Sequence, residues 1–234
     1  MIRKWQLILV LMAAGACSGR AGIITFNFTG TSPGTSGPWT TTSALDPNLT
    51  LTSGFNEGSG ITGNAGVNRF NAKGWKTADN TFGSAISGSS YFTFTIQANS
   101  GYVLELSGAT ITLTLSPSGT GPADYALESS VGGFSTSGAL NTVATLTQGS
   151  ANNLTIVLPS LTAYDTSSAV EFRIYGYGTT GNSGATMSAD ALSLGGAVVS
   201  AIPEPASWGA ISAAGLLVLC GWRGWRQRQA ACAF

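Results

Sequence analysis

One pattern constrains this chain more than any other. Apolar and polar side chains alternate in run after run, between clusters of Gly, Ser, Pro and Asn. A period of two sends successive side chains to opposite faces of a strand, which is the signature of a half-buried sheet. The clearest run sets Val170, Phe172 and Ile174 inward and Glu171, Arg173 and Tyr175 outward. Phe92, Phe94 and Ile96 form a second inward face, and Ile111, Leu113 and Leu115 a third, with threonines between them on the outer face. Ile24, Phe26 and Phe28 alternate with Thr25, Asn27 and Thr29. Further strands are expected at 102–106, 123–129, 154–158 (stopped by Pro159) and 186–194, with a less regular one at 142–147. The Gly-rich stretch 54–66 reads as turns between strands, and no helical period stands out between residues 22 and 200. Strand after strand at short spacing predicts an all-β fold, an antiparallel two-sheet sandwich.

The absences in this central part decide much of its chemistry. The chain has no His, and its three cysteines are Cys17, Cys220 and Cys232, all outside residues 22–200. Ser-His-Asp and Cys-His catalysis are therefore excluded, as are metal sites built on imidazole or thiolate. No disulfide staples the body, but a domain of about 180 residues can hold together on one core. Four basic side chains stand against nine acidic ones in the body, a net charge of −5. That balance argues against nucleic acid as a partner. Arg69, Lys73 and Lys76 lie close together and read as the decoration of one loop.

What chemistry remains is carried by oxygen ligands and carboxylates. Most of the nine acids are expected as solvated surface charge. Asp190 stands apart because it falls inside the last alternating run: it caps a turn, pairs with Arg173, or contributes to a structural Ca²⁺ site. A glycosidase would need two carboxylates facing each other across a cleft, which scattered acids do not reveal. For sugar stacking, the aromatic candidates are Trp39, Trp75, Tyr125, Tyr164, Tyr175 and Tyr177. Trp75 lies in the polar segment 71–80, where it either contacts carbohydrate or plugs one end of the sandwich.

The two ends of the chain read as addresses. Arg3 and Lys4, the apolar segment 5–14 and the small-x-small pattern of Gly19-Arg20-Ala21, met also by Ala14-Gly15-Ala16, read as a secretory signal peptide over residues 1–21. Cleavage there calls on the Sec translocon and signal peptidase and starts the mature chain at Gly22. Ala14-Gly15-Ala16-Cys17 is a degraded lipobox, so lipidation of Cys17 is the rival expectation. At the other end, Pro203-Glu204-Pro205 is followed by an apolar stretch over 206–222 and then by Arg223, Arg226 and Arg228. The prolines stiffen the triplet and remove backbone donors. As a helix, the apolar stretch is roughly 25 Å long, the short end of a membrane span. Trp208, Trp222 and Trp225 suit the two interfaces, and the arginines set the cytoplasmic side.

A Pro-Glu-Pro triplet, an apolar helix and a basic cluster, in that order, resemble the PEP-CTERM sorting signal of Gram-negative bacteria. The resemblance covers residues 202–228. It implies recognition by an exosortase, removal of the tail, and delivery from an inner-membrane-anchored precursor to the cell surface or extracellular matrix. The middle of the chain, from YFTFTIQ through YALESSVGGF to the strand around Asp190, is similar to a segment recurrent in exported PEP-CTERM proteins. That likeness covers roughly residues 90–195 and implies a jelly-roll sandwich of the carbohydrate-binding-module type; the sandwich domain is expected over 22–200 and the sorting signal over 201–229. The expectation is thus a monomeric surface or matrix protein without enzymatic activity or cofactor. A carbohydrate-binding module for exopolysaccharide is the alternative, and a carboxylate-dependent glycoside hydrolase the remote one.

Overall fold

In a computed structural model, the structure describes residues 22–30, 37–141, 144–181 and 184–201. In chain order the elements are β1 (Gly22–Phe26), β2 (Ala44–Leu45), β3 (Leu49–Glu57), β4 (Thr62–Gly63), β5 (Phe70–Lys73), helix α1 (Phe82–Gly88), β6 (Tyr91–Ala98), β7 (Tyr102–Glu105), β8 (Thr110–Pro117), β9 (Asp124–Ser129), β10 (Ala144–Thr145), β11 (Asn152–Val157), β12 (Asp165–Thr166), β13 (Val170–Tyr177), β14 (Thr186–Gly195) and β15 (Ala197–Ser200). The first sheet runs β11-β8-β14-β1-β2, and β5, carrying β4, also pairs with β14. The second runs β10-β9-β13-β6-β3, and a small third sheet is β12-β7-β15. The strand pairs between the named strands are antiparallel.

The two large sheets face each other across one core. The inner face of the first contributes Ile24, Phe26, Phe70, Ile111, Leu115, Met187, Leu192 and Leu194, and that of the second Phe55, Phe92, Phe94, Ile96, Leu127, Phe172 and Ile174. Phenylalanines make the junction. Phe55 of β3 lies 4.9 Å from Phe28, 5.1 Å from Phe70, and 5.6 Å from both Phe26 and Phe92, measured between ring centroids. Phe26 meets Phe94 edge-on at 5.6 Å, and Phe70 meets Phe92 the same way at 5.6 Å. Tilted and edge-on pairs add ~0.5–1.5 kcal/mol each beyond their buried area.

Most of the alternating runs fold as the sequence predicts, with instructive departures. β1 stops at Phe26; Phe28 reaches the core from a left-handed backbone with φ of 50°. Of the strand expected at 142–147, the described residues form β10 at Ala144–Thr145. Gly54 serves no turn: it lies inside β3, where Trp39 crosses and exchanges hydrogen bonds with Phe55. A Cβ at Gly54 would stand 2.6 Å from the Trp39 carbonyl oxygen, so only glycine allows that crossing. Tyr175 points outward from β13 as expected, yet it is fully buried, because α1 packs over it with Phe82 5.4 Å away. α1 itself lacks a legible period, being seven residues of Phe, Gly, Ser, Ala and Ile. A capping box starts it: Thr81 Oγ1 accepts from the Ser84 amide at 3.2 Å, and the Thr81 amide donates to Ser84 Oγ at 3.0 Å.

Among the described residues no helix is long and apolar enough to cross a membrane, and the span expected at 206–222 lies outside them. The cluster around Phe55 yields a direct test. Phe55→Ala should lower the unfolding free energy of the chain by ~3–5 kcal/mol in urea titrations followed by tryptophan fluorescence. A loss below ~1 kcal/mol would contradict its place at the centre of the core.

Candidate functional site

Asp190 occupies an irregularity of the first sheet. Along β14, Ala189 pairs with Leu115 of β8 while Ala191 pairs with Thr114, so Asp190 is an extra residue without an opposite number. Such a bulge bends the strand and re-aims the side chain. On the other side of β14, β1 ends with Phe26 opposite Leu192 and β5 begins with Phe70 opposite Ala189. The bulge therefore falls where β14 passes from one neighbour to the next.

Short polar side chains converge on it. Ser116 donates to Asp190 Oδ2 at 2.5 Å, and Ser188 donates to Oδ1 at 2.9 Å. Arg69, one residue before β5, brings Nε to 3.9 Å from Oδ1. Ser188 is buried, while the Asp190 and Arg69 side chains are 26% and 49% exposed. These groups border an open groove of about 420 Å³, completed by Asn71, Ser118, Ser150 and Thr186. Next along β8 and β14 on the same face is a smaller trough of about 260 Å³, with Leu113, Leu154 and Leu192 among its walls and Thr112, Thr155 and Ser193 along it.

This geometry revises several expectations. Asp190 pairs with neither a turn nor Arg173; Arg173 belongs to the other sheet and donates to Glu171 at 2.6 Å. Ca²⁺ takes six to eight oxygens. Asp190 instead faces two hydroxyl donors and a guanidinium, and among the described residues no three acidic side chains gather. This set of neighbours does not fit the ion. Trp75 is corrected as a carbohydrate contact, because it is 0% exposed. Its Nε1 donates to the Ala72 carbonyl at 3.1 Å, and its ring stands edge-on to Phe92 at 5.4 Å. A Cβ on Gly176 would come within 2.7 Å of the indole, so that strand position is kept bare to seat it. Tyr125, Tyr164, Tyr175 and Tyr177 are buried too, and Trp39 is half-buried. The groove is thus polar rather than aromatic. Arg69, read from sequence as loop decoration, proves to be one of its walls. The serines at 116 and 188 were legible only as outward positions of their strands. Pro203, Glu204, Pro205, Arg223, Arg226 and Arg228 lie outside the described residues.

The second sheet holds a carboxyl group of a different kind. Glu128 of β9 sits opposite Arg173 of β13 and is 0% exposed, where sequence had suggested surface charge. Among the described residues neither oxygen makes a hydrogen bond of good geometry, the Ser135 backbone giving at most a weak contact. Burial pushes its pKa up to about 7, against the opposing pull of the Arg173 charge and the Ser135 backbone. Arg173 itself is held over the rings of Phe134, at 3.8 Å, and Tyr91, at 4.6 Å. The arrangement holds a buried carboxyl under the segment that includes Ser135 and Gly138.

No protein-family model matches the chain, and no curated protein matches it. Among solved structures, a family 29 carbohydrate-binding module from Piromyces equi is similar at 12% identity and a TM-score of 0.35, covering 71% of this chain and 89% of that one. The N-terminal cellulose-binding domain of Cellulomonas fimi β-1,4-glucanase C gives 11% identity and 0.30, over 64% and 88%. An arabinose-bound α-L-arabinofuranosidase, MgGH51, gives 13% and 0.37, over 76% of this chain and 27% of that one. A likeness of this size establishes neither a shared ligand nor a shared topology.

Glu128 has a measurable consequence. An acid whose pKa is raised on folding, from 4.5 to about 7, stabilises the fold fully below its unfolded pKa. That stability is lost as pH rises through about 7. Glu128→Gln should remove this loss, on the order of 2 kcal/mol between pH 5 and pH 8.5 in parallel urea titrations. Identical pH slopes for the two proteins would show that the carboxyl is solvated.

Proposed function

We propose that this chain is a cell-surface or extracellular-matrix protein, exported through its signal peptide and then sorted and processed through its tail. The order Pro203-Glu204-Pro205, apolar stretch, Arg223, Arg226 and Arg228 carries this reading. The two prolines restrict the backbone and remove amide donors, which suits recognition by a membrane-embedded exosortase, and the arginine cluster favours the cytoplasmic side. We take the body to be non-catalytic. It has no His or Cys, and among the described residues the groove beside Asp190 is bordered by that one carboxylate, where hydrolysis of a glycoside calls for two.

The sandwich is further read as a jelly roll. β8 pairs with β14 in one sheet while β9 pairs with β13 in the other, so the chain folds back on itself as nested pairs shared between two layers. Carbohydrate binding is the second reading. It is favoured by the hydroxyl-lined groove with its carboxylate and guanidinium, and it no longer draws on Trp75.

Intact mass measurement on the protein from its native host tests the first reading. The mature chain should begin near Gly22 and lack the peptide after Trp208. Replacing Pro203, Glu204 and Pro205 together by alanine should leave the tail attached. An uncut C-terminus on native material contradicts processing.

A further inference from the structure

We infer that the outer face of the first sheet binds a neutral oligosaccharide, with Asp190 and Arg69 clasping a pair of adjacent sugar hydroxyls and the chain lying along β8 and β14. The inference rests on the carbohydrate-binding reading and gives it a site and a ligand class.

The clasp follows from donor and acceptor arithmetic. An ionised carboxylate offers about four lone-pair positions, of which Ser116 and Ser188 occupy two. Those two hydroxyls also hold the carboxylate in one orientation, and the bulge turns it to the groove. Arg69 presents a fork of N–H donors 3.9 Å from the nearer oxygen. Neighbouring sugar hydroxyls each donate and accept, so one donates to Asp190 while the next accepts from Arg69. Both bonds are charge-assisted, roughly twice as strong as neutral ones. The two charges also select: an anionic ligand meets Asp190, a cationic ligand meets Arg69, and a neutral polyol meets neither penalty.

The face beyond the clasp suits the rest of a glycan. Thr155, Thr112, Ser193 and Thr25 form a row in register across β11, β8, β14 and β1. Thr25 and Ser193 are joined by a hydrogen bond of 3.0 Å, and Thr114 donates to Asn153 at 2.8 Å. This leaves a strip of methyl groups and hydroxyls above Leu113, Leu154 and Leu192. Sugar rings present the same mixture, apolar C–H faces with hydroxyl edges. From Ser188 to Ser193 the strand runs roughly 16 Å, longer than a single ring. The trough and the clasp share β8 and β14, so one extended ligand reaches both.

The test uses the full-length chain, kept in detergent, on an array of neutral gluco-, manno-, galacto- and arabino-oligosaccharides beside oligogalacturonates. The tightest neutral ligand is then titrated calorimetrically. Binding to at least one neutral series is expected, weakened about tenfold or more by Arg69→Ala, by Asp190→Ala and by Thr112→Lys. Arg69 and Thr112 are exposed, so those variants should keep the wild-type urea midpoint even if Asp190→Ala does not. Neutral binding that survives both Arg69→Ala and Thr112→Lys overturns this site but leaves the carbohydrate reading standing. Binding to oligogalacturonates alone overturns the ligand class. No binding to any glycan overturns the site and the carbohydrate reading together, and leaves tail processing untouched.

Discussion

The packing of Phe55 against rings from both sheets is the contact on which this structure depends. Phe26, Phe28 and Phe70 approach it from the side of the first sheet, and Phe92 and Phe94 from its own. The body has no disulfide, so nothing covalent holds the layers together. Burial of these rings supplies the driving force, and their edge-on geometry fixes how the sheets sit on each other. The cost is that the aromatic side chains are drawn inward. Trp75, Tyr125, Tyr164, Tyr175 and Tyr177 are all buried. What is left for recognition is an outer surface of threonine and serine, broken by a few charges.

The same packing explains where those charges become useful. β14 must pair with β8 along its length while exchanging β1 for β5 on its other side. One extra residue absorbs the mismatch, and that residue is Asp190. Glu128 makes the contrast plain. It lies in a regular stretch of β9, is sealed from water, and responds to burial by a raised pKa. Asp190 is partly open, oriented by two hydroxyls and set beside an arginine. One carboxyl tunes stability with pH, and the other borders an open groove.

Strands whose inner and outer faces differ sharply were legible in the sequence. β6, β8 and β13 follow their alternation, because a one-residue slip would have turned Phe94, Leu113 or Phe172 to solvent. β3 was not legible. Its burial pattern is irregular, its register shifts twice against β6, and Gly54 looks like a turn residue until Trp39 is seen crossing it. α1 is too short to show a period, and the burial of Tyr175 beneath it depends on that helix. Asp190 could be singled out by its place inside the last alternating run. Its partners could not, since Arg69 and Ser116 are 121 and 74 residues away and only the sheet brings them together. Trp75 left two readings open for a related reason. A polar sequence neighbourhood said nothing of the space above Gly176 that the indole fills.

The groove beside Asp190 is lined by hydroxyl, amide, carboxylate and guanidinium groups, the chemistry on which the proposed oligosaccharide site rests. A crystal structure of the protein soaked with its tightest neutral oligosaccharide tests the central claim most directly. Sugar density should lie between Asp190 and Arg69 and extend over Thr112. Density seated instead on the opposite sheet, over Tyr91 and Phe134, would contradict it.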